Sequence, residues 1–263
     1  MKILVTVKEV AEAADDFEID GTDIDEQFLE YDLNEWDDYA VEAAVQLSEE
    51  YEDVEVVSAT IGPERSEETI RMALAKGVDR AIRVWDDEVA GADLDVAAKT
   101  RLLAAVVDEE EPDLVLTGVQ AADDGFGATG VSLADEIGFD WAAVVNHLET
   151  EDDLSMAHVH RELEGGVEEL TEVDFPAVLT IQTGLNEPRY ASLRGIRQAQ
   201  SKEIAEFGLA DLGLDADAVA SPMRRTAMYE PETESDATYF EGDADEQAAQ
   251  LADVLRTEGV VSE

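Results

Sequence analysis

The alternation of short apolar runs with amphipathic helical patterns is the feature that most restricts how this chain folds. Apolar runs occupy residues 2–7, 54–62, 80–85 and 113–118, and a helical pattern follows each of them along the chain. This order predicts an α/β fold, an open parallel sheet with helices on both faces. Ligands of such sheets bind beyond the carboxyl ends of the strands, which places Thr6, Ile61 and Gly118 at the expected site.

The ends of the helices carry recognisable signals. The first helix is predicted to begin near Asn34 to Asp37, after an acidic excursion at residues 15–32 that is expected to be a loop or hairpin. In the second, Ser66 is a candidate cap and Gly77 a candidate closing residue. Asp93 is the candidate cap of the third helix, which stops before Pro112.

The second half of the chain changes character. Three strands are expected between residues 156 and 182, and a turn at Glu164-Gly165-Gly166 joins the first two as a tight hairpin. After residue 205 the periodicity is lost until a capped amphipathic helix near the end. We therefore predict a nucleotide-binding α/β domain over 1–204, and over 205–263 an extended arm with a helix that packs on a partner.

The charge of the chain is extreme, with 17 basic against 66 acidic residues and a formal net charge of −49. Such a surface is repelled by nucleic acid and by anionic lipid. Because the acids are spread along the whole chain, we interpret them as adaptation to concentrated salt, as in an extreme halophile, in preference to a generally acidic protein. There is no cysteine, no apolar run of membrane-spanning length and no signal-peptide pattern, so a cytoplasmic location without membrane insertion is expected.

The segment "GFGATG" at residues 125–130 is a literal G-x-G-x-x-G. A dinucleotide fingerprint requires these glycines directly after the first strand, whereas here they follow the fourth, which disfavours nicotinamide binding. Backbone N–H groups before a helix can still cradle a phosphate, and an ordinary turn is the alternative. Gln120, Asp123 and Thr129 could position sugar or phosphate, but the carboxylates of Asp123 and Asp124 are awkward beside an anion.

No pattern of catalytic residues is evident. A metal pair of His158 and His160 is conceivable, but a solvent-facing strand is the simpler interpretation, and we predict neither a metal site nor a catalytic centre.

One segment runs against the background charge: residues 185–202 contain four cations and a single acid, which suggests docking of an acidic partner or a salt-bridged structural loop. The cations are Arg189, Arg194, Arg197 and Lys202.

Nearly the whole chain resembles the electron transfer flavoprotein (ETF) beta subunit. The resemblance is carried by "ILVTVKEV", "GPERSEETIRMALAKGVDRAIRV", "LVLTGVQAADDGFGATG" and, most specifically, by "VHRELEGGVEELTEVDFPAVLT" followed by "LNEPRYASL". The stretch "LTEVDFP" is one residue longer than the usual spacing before the proline, which is expected to lengthen a hairpin strand.

This resemblance implies a non-catalytic subunit of the adenine nucleotide alpha hydrolase-like fold. It implies an alpha-subunit partner that holds most of the FAD, acyl-CoA or related dehydrogenases of fatty acid oxidation as donors, and a quinone oxidoreductase as acceptor. The beta subunit would bind AMP or, in electron-bifurcating members, a second FAD; the ending Ala128-Thr129-Gly130 favours AMP. The implied nucleotide site comprises Thr6, Asn34, Ile61, Gly118, Gln120, Asp123, Gly125, Gly127, Ala128 and Thr129.

The resemblance also implies contacts with protein partners. The segment "NEPRYASL" resembles a recognition loop that anchors the dehydrogenase, with Leu193 as its apolar anchor beside Arg189 and Tyr190. Glu162 matches an acid that pairs with an arginine of the alpha subunit. The competing hypotheses are a stand-alone nucleotide-binding protein of the same fold and a nicotinamide dehydrogenase.

Overall fold

The computed structural model describes residues 1–231 and 237–260. Two compact units divide the chain, Met1–Met228 and Tyr229–Glu263. The elements of the first unit follow in chain order: β1 (Lys2–Thr6), β2 (Glu9–Ala13), β3 (Ile19–Asp20), β4 (Asp23–Ile24), β5 (Leu29–Leu33), α1 (Glu35–Glu50), β6 (Glu55–Ile61), α2 (Glu67–Lys76), β7 (Arg80–Val84), α3 (Asp87–Ala90), α4 (Val96–Glu110), β8 (Leu114–Gly118), α5 (Thr129–Ile137), β9 (Asp140–Thr150), β10 (Met156–Leu163), β11 (Val167–Asp174), β12 (Ala177–Ile181), α6 (Leu193–Ala199) and β13 (Ile204–Phe207).

The predicted open parallel sheet is confirmed. Its strand order is β11-β10-β9-β12-β8-β1-β6-β7-β13. Strands β9, β12, β8, β1, β6, β7 and β13 run parallel, and β10 and β11 extend one edge as an antiparallel pair. The chain passes from β1 through β6 to β7 on one side and then crosses to β8 on the other. The topological switch point, where such folds open a crevice, therefore lies between β1 and β8.

Two apolar layers cover the faces of the sheet. In β1, Ile3 and Val5 face the layer formed with α1, α2 and α6, whereas Leu4 faces the layer formed with α4 and α5. Burial on both faces explains why the central strands are continuous apolar runs without polar alternation. The helices need only one apolar stripe each, and their acidic residues lie mostly on the other side.

Two of the predicted helix caps are wrong. Helix α4 begins at Val96, and its cap is Asp95, whose carboxylate accepts a hydrogen bond of 2.8 Å from the Ala98 N–H. Asp93 precedes this turn. Ser66 gives no side-chain cap to α2, because a 3-10 turn over Glu64–Ser66 leads into the helix and the Ser66 hydroxyl donates to Glu9 instead.

Other predicted features are confirmed. Asn34 immediately precedes α1, and Gly77 closes α2 at a φ of 137°. The excursion at residues 15–32 forms the small hairpin β3–β4 and then β5, which pairs with β2. Strands β10 and β11 pair in regular register on either side of the Gly165-Gly166 turn. The third strand predicted there, β12, leaves the hairpin and lies in the sheet between β8 and β9.

The first unit extends beyond the predicted boundary at residue 204. Strand β13 pairs with β7, and Leu209 and Val219 enter the apolar layer beside α4. The Arg101 guanidinium of α4 donates to the carbonyls of Ala218 and Ala220 at 2.7 and 2.8 Å, and these hydrogen bonds hold the segment around residue 219 against α4. The segment after residue 204 thus belongs to the first unit although it lacks periodicity, because a few of its apolar side chains pack into the core.

The second unit contains helix α7 (Ala244–Thr257), which begins at a capping box formed by Asp243 and Glu246. None of its residues is buried, and Leu251 and Val254 are exposed. Residues 232–236 and 261–263 of the predicted arm lie outside the described residues. Across the described part of the chain, no helix has the length and apolar character required to cross a bilayer.

Candidate functional site

A crevice opens at the carboxyl edge of the sheet, at the switch point between β1 and β8. It contains about 750 Å³ of space including its mouth. Eight of the ten residues predicted for the nucleotide site line it: Thr6, Asn34, Ile61, Gly118, Gln120, Gly127, Ala128 and Thr129. The other two, Asp123 and Gly125, belong to the same loop but stand outside the lining. Leu94 and Leu103 add apolar surface from the side of α4.

Asn34 shapes the loop that follows β8. Its amide nitrogen donates to the Gln120 carbonyl at 2.9 Å, and its amide oxygen accepts from the Ala122 N–H at 3.2 Å. The side chain is 1% exposed, so both of its polar atoms are used within the protein. Asn34 therefore fixes the wall of the crevice through the loop backbone.

Asp37 joins the two strand ends that flank the crevice. Its carboxylate accepts hydrogen bonds from the Lys8 N–H at 2.8 Å and from the Gly118 N–H at 2.9 Å. Burial raises the pKa of Asp37 to about 7, against the opposing effect of these two backbone hydrogen bonds. A methyl group on Gly118 would lie 2.5 Å from the Asp37 Oδ1 atom, so glycine is needed for this close approach.

The carboxylates of Asp123 and Asp124, which were expected to be unfavourable beside a bound anion, form ion pairs with lysines. The Lys8 ammonium contacts Asp123 at 2.5 Å and Asp124 at 3.0 Å, and Lys99 reaches the same Oδ2 atom of Asp124 at 2.8 Å. Burial opposes ionisation of Asp124, but the hydrogen bonds from Lys99 and Lys8 outweigh it and lower its pKa to about 2. One ionised carboxylate thus connects the end of β1, the glycine loop and α4.

The glycines of the loop have distinct conformational roles. Gly125 and Gly127 have φ values of 62° and 59°, in the left-handed region that favours glycine. Gly130 lies in the first turn of α5, and a Cβ there would be 2.4 Å from the Thr117 hydroxyl oxygen. The loop therefore turns tightly and brings the start of α5 against β8. Ala128, at the N-cap of α5, provides no side-chain hydrogen bond to the N–H groups of the first turn.

The predicted docking segment forms helix α6 and the residues before it. Ser192 caps the helix by accepting from the Gly195 N–H at 3.0 Å, and Leu193 and Tyr190 are 78% and 98% exposed. Arg189 turns inward to α1, where its guanidinium contacts Glu42 at 2.7 Å and Glu49 at 2.6 Å. These ion pairs raise the pKa of Arg189 above its usual range.

The four cations of this segment divide into two groups. Arg189 is paired with α1, and the Lys202 ammonium donates to the carbonyls of Leu74 and Val78, at 3.1 and 2.5 Å. Arg194 and Arg197 are exposed on α6. Two cations thus hold the segment in place, as expected of a salt-bridged structural loop, and two are exposed on its surface. Docking of an acidic partner stays a prediction.

Glu162 lies exposed on β10 and faces Glu168 of β11. Further along the same strand, His158 contacts Glu151 at 2.8 Å, and this hydrogen bond raises the pKa of the imidazole. His160 lies opposite His147, with ring centroids 4.4 Å apart. Within the described residues, no group of three or more potential ligands is arranged to hold a metal ion.

Sequence reasoning missed Lys8, Asp37 and Lys99. Lys8 could have been predicted from the sequence, because it follows β1 at the same sheet edge as Gly118 and because basic residues are rare in this chain. Asp37 stands among the acids at the start of α1 and resembles an ordinary response to the helix dipole. Lys99 lies within α4, and its direction depends on how that helix packs.

The chain is similar to several known proteins over nearly its whole length. The family model of the electron transfer flavoprotein domain matches residues 22–212. An electron transfer flavoprotein subunit beta from Methylophilus methylotrophus is 48% identical over 261 residues, covering 97% of this chain and 98% of that protein. The subunit beta of Homo sapiens is 35% identical, covering 90% and 94%, and that of Bacillus subtilis 31% identical, covering 99% and 100%.

Proposed function

Because this chain belongs to the electron transfer flavoprotein beta-subunit family, we propose that it is the nucleotide-holding and partner-docking half of a heterodimer. Its alpha-subunit partner carries the redox-active FAD. The heterodimer accepts electrons from acyl-CoA or related dehydrogenases in fatty acid oxidation and transfers them to a quinone oxidoreductase. The chain itself performs no chemistry, and its location is cytoplasmic.

AMP is the proposed ligand of the crevice, where it has a structural role. The observation that carries this proposal is the junction at the switch point, where apolar walls meet a left-handed glycine loop and the start of α5. Ile61, Leu94 and Leu103 offer apolar surface to an adenine. The backbone N–H groups from Gly127 to Thr129 suit a phosphate. Thr6 and Gln120 line the same crevice, and we assign them to the ribose.

The predicted site residues outside the lining act through the loop. Asp123 holds Lys8, and Gly125 provides a left-handed turn, so both shape the crevice without reaching into it. Asn34 likewise contributes by fixing the loop backbone.

Analysis of the bound small molecules tests the ligand assignment. The chain is co-expressed with its alpha subunit, the heterodimer is purified and denatured, and the released nucleotides are quantified by chromatography and mass spectrometry. We expect one AMP and one FAD per heterodimer. Two FAD and no AMP would support the electron-bifurcating alternative, whereas an empty crevice with a chain that stays monomeric beside the alpha subunit would contradict the proposal.

Leu193 is the proposed apolar anchor for the dehydrogenase, with Tyr190 beside it. Exposure of two large apolar side chains in one short segment supports a docking role. In this proposal Arg189 contributes by holding the segment against α1. Glu162, exposed on β10, is proposed to pair with an arginine of the alpha subunit.

Substitution of Leu193 by alanine tests the docking role. We expect reduction of the heterodimer by an acyl-CoA dehydrogenase to slow about tenfold or more, because truncation of an interface hot spot costs about 2 kcal/mol or more. FAD content and chemical reduction by dithionite should stay unchanged. Leu170→Ala is the control, because it truncates a leucine that is 71% exposed on β11. Loss of flavin in Leu193→Ala, or equal slowing in the control, would contradict the docking role.

A further inference from the structure

The charged side chains that line the crevice are balanced in number. They are two cations, Lys8 and Lys99, and two acids, Asp37 and Asp124. Asp124 lies between the two ammonium groups, at 3.0 Å from one and 2.8 Å from the other. Lys8 is also engaged by Asp123, at 2.5 Å. Neither lysine therefore presents an uncompensated positive charge to a ligand.

This arrangement limits how much negative charge the crevice can accept. Lysines that bind nucleotide di- and triphosphates leave their charge free for the phosphate oxygens. Here the attraction for a phosphate comes mainly from backbone N–H groups and the start of α5, which carries about half an elementary charge. Such a partial charge suits one phosphate group. Each additional phosphate would bring a negative charge close to Asp124 without a free cation to compensate it.

We propose that Asp124, held between Lys8 and Lys99, is a specificity-determining residue that makes the crevice select a nucleoside monophosphate over the corresponding di- and triphosphates. The side chain acts by neutralising the two lysines and needs no contact with the ligand. Its carboxylate remains ionised throughout the range in which the protein is handled, since its pKa is about 2. This inference rests on the proposed function, because it concerns the ligand of the same site.

A competition experiment tests the selection. The full chain is refolded with its alpha subunit in the presence of equimolar AMP, ADP and ATP, at the lowest salt at which the heterodimer stays folded. The retained nucleotides are then measured after gel filtration. We expect the wild type to retain AMP. Asp124→Asn frees one positive charge and should raise the retained ratio of ATP to AMP about tenfold, with ADP intermediate.

Two further variants separate charge from structure. Asp152→Asn removes one exposed acid from the turn between β9 and β10 and should leave the ratio unchanged. The double variant Lys99→Met with Asp124→Leu removes one charge of each sign, so the crevice stays balanced although the ion pair is lost. It should retain the preference for AMP. A ratio that rises in the double variant as much as in Asp124→Asn would overturn the inference.

The outcomes also distinguish this inference from the proposed function. If the wild type retains none of the three nucleotides, the assignment of the crevice to an adenylate fails. If it retains AMP and Asp124→Asn retains the three in the same ratio as the wild type, the nucleotide site stands and the role of Asp124 fails. An increased salt concentration should reduce the difference between wild type and Asp124→Asn, because mobile ions screen the freed charge.

Discussion

Asp37 shows how a single buried acid can define the edge of a crevice. Its carboxylate connects the N–H group of Gly118, the last residue of β8, with that of Lys8, which lies just beyond β1. Both N–H groups thus have a side-chain acceptor at the edge where the sheet opens. The protein uses an acid for this purpose although burial raises its pKa to about 7.

The raised pKa predicts how stability depends on pH. Between about pH 4 and pH 7 the unfolded chain releases the Asp37 proton while the folded chain retains it, so the free energy of unfolding falls as the pH rises. The contribution lost by about pH 7 is roughly 4 kcal/mol, and above that pH it stays constant. Measured at constant salt, the melting temperature of the wild type should therefore fall relative to that of Asp37→Asn as the pH rises from about 4.5 to 7.5.

The control for this measurement is Asp135→Asn, which removes one exposed negative charge from α5. Comparing differences between variants cancels the titration of the many surface acids that both proteins share. A difference between wild type and Asp37→Asn that stays constant over the pH range would contradict the raised pKa.

At the scale of elements, the position of α6 on α2 decides what the docking segment presents. A Cβ at Gly195 would lie 2.3 Å from the carbonyl oxygen of Ala75, so the first turn of α6 rests directly on the backbone of α2. Arg189 ties the preceding residues to α1. The exposed leucine at the start of α6 is therefore supported by two rigid helices.

Gly195→Ala should displace α6 and misplace Leu193. Since a backbone oxygen cannot give way as a flexible side chain does, we expect a loss of about 1–3 kcal/mol in stability and slower reduction by the dehydrogenase. Stopped-flow reduction and thermal unfolding check the two effects. Gly91→Ala is the matched control, because a Cβ there would meet its nearest neighbour at 3.4 Å. Unchanged docking in Gly195→Ala would show that the contact with α2 does not position the anchor.

At the scale of the whole molecule, the balance of charge dominates. The 66 acidic residues exceed the 17 basic ones, and the described cations are largely committed to ion pairs and carbonyl oxygens within the first unit. The remaining acids repel one another across the surface. Adaptation to concentrated salt remains our prediction for this surface.

Dilution of salt should destabilise the protein. At about 3 M salt the Debye length is below about 3 Å and the repulsion is screened, whereas at about 0.1 M it reaches about 10 Å. We expect the melting temperature to fall sharply between these conditions, as followed by circular dichroism. As the control, a neutral osmolyte is added to the low-salt buffer so that both buffers have the same water activity and differ only in charge screening. An unchanged melting curve would contradict the salt-adaptation hypothesis.

The sequence by itself determined most strands of the sheet, the edge at which the crevice opens and the loop that borders it, but not the edge strand β13. These features follow from local periodicity and from glycines whose backbone requirements are evident within a few residues, as at Gly125 and Gly127. The resemblance to a known family then identified eight of the residues that line the crevice, and only the tertiary structure showed that Asn34 acts on the loop backbone.

Only the tertiary structure decided which charges meet. Lys8 and Asp124 are separated by 116 residues, Asp37 and Gly118 by 81, and Arg189 and Glu42 by 147. In a chain with so many acids, no local pattern distinguishes the carboxylate that will meet a given cation. The choice depends on which strand ends and helices the topology brings together, and that is a property of the folded sheet.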